Sequence, residues 1–173
     1  MKALRPDVVI KDLRGNVDTR LRKLDEGQYD ALILASAGLK RLGLADRISV
    51  AISPQQMLPA VGQGAVAIEV RGEDEISLSA VRSLDHYSTR LACLAERSFL
   101  RALGGGCQLP IAAHAVLEGD ELAVDGLVAS QDGKQIVRDV ISGKAADAEL
   151  LGTQLAERLI SLGANSLLQN SRT

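Results

Sequence analysis

Tryptophan is absent from these 173 residues, and the aromatic side chains are three: Tyr29, Tyr87 and Phe99. A core must therefore be assembled from Leu, Ile, Val and Ala. The stacking platform on which single-stranded nucleic acid is bound has no material here. Cysteine is confined to Cys93 and Cys107. That excludes a disulfide scaffold and favours a reducing compartment, with the cytoplasm as the expected location. No apolar run approaches the roughly 20 residues that a membrane-spanning helix needs, and residues 1–6 hold no apolar secretory stretch. A formal net charge of −2 argues against the strongly basic domain that nucleic-acid binding requires. The expected partners are small molecules, with neither nucleic acid nor membrane.

What is present is an ordinary folded composition, 46% hydrophobic and 24% charged, well away from the disordered regime. The charge is unevenly placed. Residues 1–50 hold ten Lys/Arg against seven Asp/Glu, and the remainder holds ten against fifteen. The early excess is rich in Arg, whose planar fork suits carboxylates and phosphates. A solvated helix face would look similar.

Along the chain, Asp7-Val8-Val9-Ile10 reads as a short buried strand. Val17, Leu21 and Leu24 then fall at helical spacing, with Asn16 placed to cap and Gly27 to stop that helix. A second apolar run at 30–35 leads to a short helical stretch at 36–44. Strand, helix, strand, helix predicts parallel strands in an α/β lobe. Residues 53–64 are loop-rich, 65–70 read as a strand, and 73–84 and 86–103 as helices. Three strand-like runs follow, at 109–117, 122–129 and 135–141. The turn signals Gly119-Asp120 and Asp132-Gly133 link them into an antiparallel meander. A last helix is expected over 146–162, and a frayed tail from Gly163. The fold class is thus an α/β lobe with parallel strands followed by a small α+β domain with a three-stranded antiparallel sheet.

Three clusters are candidates for chemistry. Gly62-Gln63-Gly64-Ala65-Val66-Ala67 matches G-x-G-x-x-A, but a dinucleotide fingerprint must open a helix, and a strand-like run follows here. A sharp turn or hinge is the better reading. His86, Cys93, Cys107 and His114 lack the close pairs of a structural zinc site, and no metal is expected. Cys93 reads as a small buried hydrophobe. Cys107 follows Gly104, Gly105 and Gly106. Either those glycines bare the thiol for a ligand, or Gly104 caps a helix and Cys107 is filler at a strand start. Finally, Arg14 and Arg41 follow the two first strands and Arg20 lies one turn into the intervening helix. The carboxyl ends of parallel strands are where such sheets bind ligands, so the three can converge on an anion.

At these residues a resemblance enters. LRGNVDTRLRKLDEGQYDALILASAGLKRLGL (13–44), LPAVGQGAVAIEVR (58–71) and LGGGCQLPIAAHA (103–115) resemble the porphobilinogen deaminases, also called hydroxymethylbilane synthases, in the family's order and over nearly the whole chain. The resemblance implies a transferase of tetrapyrrole (haem and related) biosynthesis. It joins four porphobilinogen units head to tail with loss of ammonia and releases hydroxymethylbilane. It implies a dipyrromethane cofactor in thioether linkage to Cys107, with porphobilinogen and oligopyrrole intermediates as ligands. Arg14, Arg20 and Arg41 match the family arginines that hold their carboxylates. Gly38 and Gln63 match positions whose backbone lies near the cofactor. The first lobe would be a partial periplasmic-binding-protein-like lobe.

The resemblance also implies a departure. The family has three domains, and this chain would begin within the second. Residues 1–61 would be an incomplete second domain, 62–85 a crossover that normally returns to the first domain, and 86–173 the C-terminal domain with the cysteine. The family's catalytic aspartate matches no acid here, so no catalytic residue is assigned. The expectation is a chain that is inactive alone and that works with a separate N-terminal domain chain. A non-catalytic polycarboxylate-binding module or a gene fragment is the alternative.

Overall fold

A computed structural model describes residues 1–105 and 109–169. The chain divides into two compact units, Met1–Ser53 and Pro54–Thr173.

In the first unit, helix α1 spans Val17–Asp25. Asn16 caps it in extended backbone, its side-chain oxygen accepting from the Thr19 amide at 2.9 Å. Gly27, at φ +72°, ends it. Helix α2 spans Ser36–Arg41 and is followed by a 3-10 turn at Ala45–Arg47. Leu21 and Leu39 are the buried anchors of this unit.

The expected strands at 7–10, 30–35 and 65–70, the first two of them parallel, are not formed. None of these segments has a strand partner, and the only sheet among the described residues is the antiparallel one. The physical reason is cover. A parallel strand is buried on both faces, whereas Val9 is 81% exposed, Ile33 54% and Val66 64%. An apolar run signals burial, and none of the described residues covers Val9, Ile33 or Val66.

The second unit has a true core. Helix α3 (Glu75–Val81) starts at Asp74, whose carboxylate accepts from the Ser77 amide at 3.0 Å. Helix α4 (Tyr87–Ala102) leads to strands β1 (Ile111–Glu118), β2 (Glu121–Ala129) and β3 (Ile136–Lys144). These form an antiparallel sheet in the order β1-β2-β3. Glu118 pairs with Glu121 across the Gly119-Asp120 turn, and Leu122 pairs with Gly143. The meander therefore stands where the turn signals put it, with β3 running three residues further than the pattern suggested.

Helix α5 (Ala148–Ser161) lies beside α4 on one face of the sheet. Phe99 from α4, Leu155 and Leu159 from α5, and Leu122, Val124 and Val128 from β2 are fully buried. Each such side chain contributes about 1.5–3 kcal/mol of transfer free energy. Glycine makes the layers fit. A Cβ at Gly126 would meet the Phe99 ring at 2.7 Å and Leu155 at 2.8 Å. The expected frayed tail is instead helix α6 (Ala164–Gln169), held because Ala164, Leu167 and Leu168 join the core. No helix among the described residues is long and apolar enough to cross a membrane.

Candidate functional site

In the first unit, Arg14 and Arg20 come to the same end of α1. Arg14 sits two residues before the Asn16 cap and is exposed. Arg20 lies in the first turns of α1, half-buried, and its Nε donates to the Gly15 carbonyl at 2.7 Å. Gly15 holds φ +122°, and a Cβ there would press on Thr19 at 3.0 Å, so the bend that presents its carbonyl requires glycine. Arg41 ends α2 and is exposed.

The six arginines of this unit fall into two sets. Arg5 pairs with Asp7 at 2.6 Å, Arg22 with Glu26 at 2.8 Å and Arg47 with Asp25 at 2.6 Å. Arg14, Arg20 and Arg41 have no acidic partner among the described residues. These are the three that the sequence singled out. Arg14 and Arg20 stand at one end of α1 and Arg41 at the end of α2, and a guanidinium fork without a carboxylate is the group that takes up an acid group of a ligand.

Gly38 lies inside α2 with its backbone at negative φ, and a Cβ there would meet nothing within 4 Å. Glycine in a helix interior is less favourable than alanine by about 1 kcal/mol. Neither turn geometry nor packing accounts for it, whereas close approach of a ligand to the backbone would.

In the second unit, Gln63 is exposed between Gly62 (φ +72°) and Gly64 (φ +90°), with its amide donating to the Ala60 carbonyl at 2.9 Å. The G-x-G pattern is a tight turn, and no helix follows it until Glu75. Cys107 lies outside the described residues, and what can be placed is its approach. The Gly104 and Gly105 amides donate to the Arg101 and Leu100 carbonyls, at 2.9 and 3.0 Å, a Schellman end to α4. A Cβ on Gly105 would meet Leu100 and Ile111 at 2.6 and 2.7 Å. Two of the three glycines therefore serve the helix end and its packing, and β1 begins only at Ile111. Cys93 is half-buried rather than fully buried. Burial pushes its thiol above the ordinary range, and the neighbouring charge of Glu96 adds to that.

Sequence reasoning missed Glu96. It is 6% exposed, and its carboxylate accepts from the amides of Gly62 at 2.7 Å and Ala115 at 2.9 Å. Burial raises its carboxyl, while those two amides and His114 pull it back down. Its spacing of four from Ala92 and three from Phe99, on the border of the apolar stripe, was the available signal.

Residues 1–79 match a family model described as porphobilinogen deaminase, dipyromethane cofactor binding domain. Residues 90–161 match one described as porphobilinogen deaminase, C-terminal domain. Curated porphobilinogen deaminases of Roseiflexus sp. (strain RS-1) and Roseiflexus castenholzii (strain DSM 13941 / HLO8) are 52% and 51% identical to the chain. Each match covers 168 residues, 97% of this chain and 55% of the relative. The chain thus spans about half the length of the curated relatives it matches. Arg14, Arg20, Gly38, Arg41 and Gln63 all fall within the match to the cofactor-binding domain, and Cys107 within the match to the C-terminal domain.

Proposed function

The chain belongs to the porphobilinogen deaminase family, and on that premise we propose that it holds the dipyrromethane primer of hydroxymethylbilane synthesis. Cys107 is the thioether anchor. Arg14, Arg20 and Arg41 receive the acetate and propionate groups of the primer and of the oligopyrrole built on it. Gly38 and Gln63 lend backbone against its rings. The observation that carries this reading is the division of the first unit's arginines: those matching the family's ligand-holding positions are the ones without carboxylate partners among the described residues. An oligopyrrole gains two acid groups with each porphobilinogen added. Fixed cations not already neutralised by the protein are what offset that charge. When bound, dipyrromethane supplies the pyrrole carbon that accepts the first incoming unit.

The whole enzyme's activity, condensation of four porphobilinogens with loss of ammonia, is proposed to need an N-terminal domain as partner, since the chain spans about half the length of its relatives. That partner would cover the apolar segments at 7–10, 30–35 and 65–70 and complete the first unit as a periplasmic-binding-like α/β lobe. The exposed Val9, Ile33 and Val66 support this division. The corresponding domain organisation is 1–61, 62–85 and 86–173, and the compartment is the cytoplasm.

The test is incubation of the purified chain with porphobilinogen, followed by intact-protein mass spectrometry and a search for linear tetrapyrrole. A two-ring adduct without steady product supports the proposal. Steady product from the chain alone overturns the need for a partner. A bare thiol with retained porphobilinogen binding favours a non-catalytic polycarboxylate-binding module.

The arginines give a second expected result. Arg14→Gln, Arg20→Gln and Arg41→Gln should each weaken porphobilinogen binding about tenfold, the loss of one charge-assisted hydrogen-bonded contact. Arg22→Gln and Arg47→Gln should change it less than about twofold, since their partners already occupy them. Isothermal titration at one fixed ionic strength reads the difference.

A further inference from the structure

Glu96 is the only buried charged residue among those described. A buried carboxylate is costly unless its oxygens are bonded, so it is not packing filler. Its two oxygens are divided between two segments far apart in sequence. Oε1 accepts from Ala115 on β1, and Oε2 accepts from Gly62 in the turn that carries Gln63.

Strand β1 is an edge of the sheet, and an edge presents unpaired amides. Two successive outward amides of β1 are occupied here. Ala113 donates to the Pro59 carbonyl at 3.2 Å, and Ala115 donates to Glu96. The 54–64 segment therefore lies along the edge strand. It is also held by Arg138, which donates to the Gln55 carbonyl at 3.1 Å while forking onto Asp125, and by the buried Leu58. At Gly62 it is fixed by an acid. Glutamine could not replace that acid, because its side chain offers one acceptor oxygen for two donors.

We propose that Glu96 is a positioning residue, a carboxylate clasp that locks the Gly62–Gly64 turn, and with it Gln63, onto the edge of β1. The role this gives Gln63 rests on the function proposed above; the clasp itself does not. The titratable side chain acting on the Glu96 carboxyl is His114 of β1, with Cys93 and Arg97 nearby on α4, and residues 54–64 contain no charged residue.

The test follows backbone amide resonances of the full ¹⁵N-labelled chain against pH, in the parent, Glu96→Gln and His114→Gln. Gly62 and Ala115 are expected to shift together with one midpoint above the ordinary carboxylate range, to keep that shift in His114→Gln and to lose it in Glu96→Gln. Hydrogen exchange at Gly62 and Gln63 should rise about tenfold in Glu96→Gln, a local opening, while amides of β2 and α5 stay within about twofold. A Gly62 resonance that does not titrate in the parent overturns the clasp without any variant. So does uniform acceleration through β2 and α5, which would mean Glu96 serves general packing. Mass spectrometry of the same samples keeps the two proposals apart. A bare Cys107 beside intact Gly62–Glu96 coupling removes the tether and supports the clasp.

Discussion

In Cys107→Ser the intact mass after incubation with porphobilinogen should be that of the bare polypeptide, with the two-ring pyrrole adduct lost completely. Cys93→Ser should keep the parent's adduct in full. The contrast comes from environment as much as from motif. Cys93 sits in the middle of α4, half-buried, and both burial and the adjacent Glu96 charge raise its thiol. A thiolate is the nucleophile, so these are the conditions that make a cysteine inert. Cys107 lies in the connection between the end of α4 and the start of β1, after a helix end closed by Gly104 and Gly105. Serine there retains size and loses the sulfur chemistry, so it isolates the bond from the fold. An adduct surviving in Cys107→Ser, or vanishing in Cys93→Ser, would place the tether elsewhere.

Local chemistry was legible in the sequence wherever it acts over a few residues. The Asn16 cap and Gly27 stop bracket α1 as read, and the turn glycines 119 and 133 set the meander. Of the leucines spaced along the last long helix, Leu151, Leu155 and Leu159 of α5 are in the core, whereas Leu162, just past the helix end, is exposed. What was not legible depends on partners far along the chain or outside it. The apolar runs at 7–10, 30–35 and 65–70 have strand composition, but a ladder needs a neighbour, and composition does not say whether one is present. Helix α6 is short and mixed in polarity, and it forms because the core receives Leu167 and Leu168. Glu96 borders the apolar stripe of α4, but its two partners are backbone amides, which side-chain patterns do not name. The excess of guanidinium over carboxylate in the first fifty residues shows in the residue order itself, but the strand ends that were to bring Arg14 and Arg41 together are not formed.

The same substitution, glycine to alanine, is expected to act in opposite directions at two helical positions. Gly152→Ala should lower stability by about 2–3 kcal/mol, a fall in Tm on the order of 5–10 °C for a chain of this size. Gly152 is buried in α5 where it crosses α4. A Cβ there would overlap the Ala95 carbonyl oxygen and stand 2.9 Å from the Phe99 amide nitrogen, both backbone atoms of α4. Backbone cannot rotate aside as a side chain can, so the helices must separate, and Phe99 and Leu155, both fully buried, lose contact. That cost exceeds the roughly 1 kcal/mol that alanine otherwise gains in a helix. At Gly38 nothing stands in the way, so Gly38→Ala should raise stability by up to about 1 kcal/mol in thermal or urea unfolding. If the bare backbone of α2 serves the ligand, that stabilised variant should nevertheless bind porphobilinogen more weakly than the parent. A Gly38→Ala chain that is both more stable and equally competent in binding would remove Gly38 from the site and leave the arginines to hold the ligand without it.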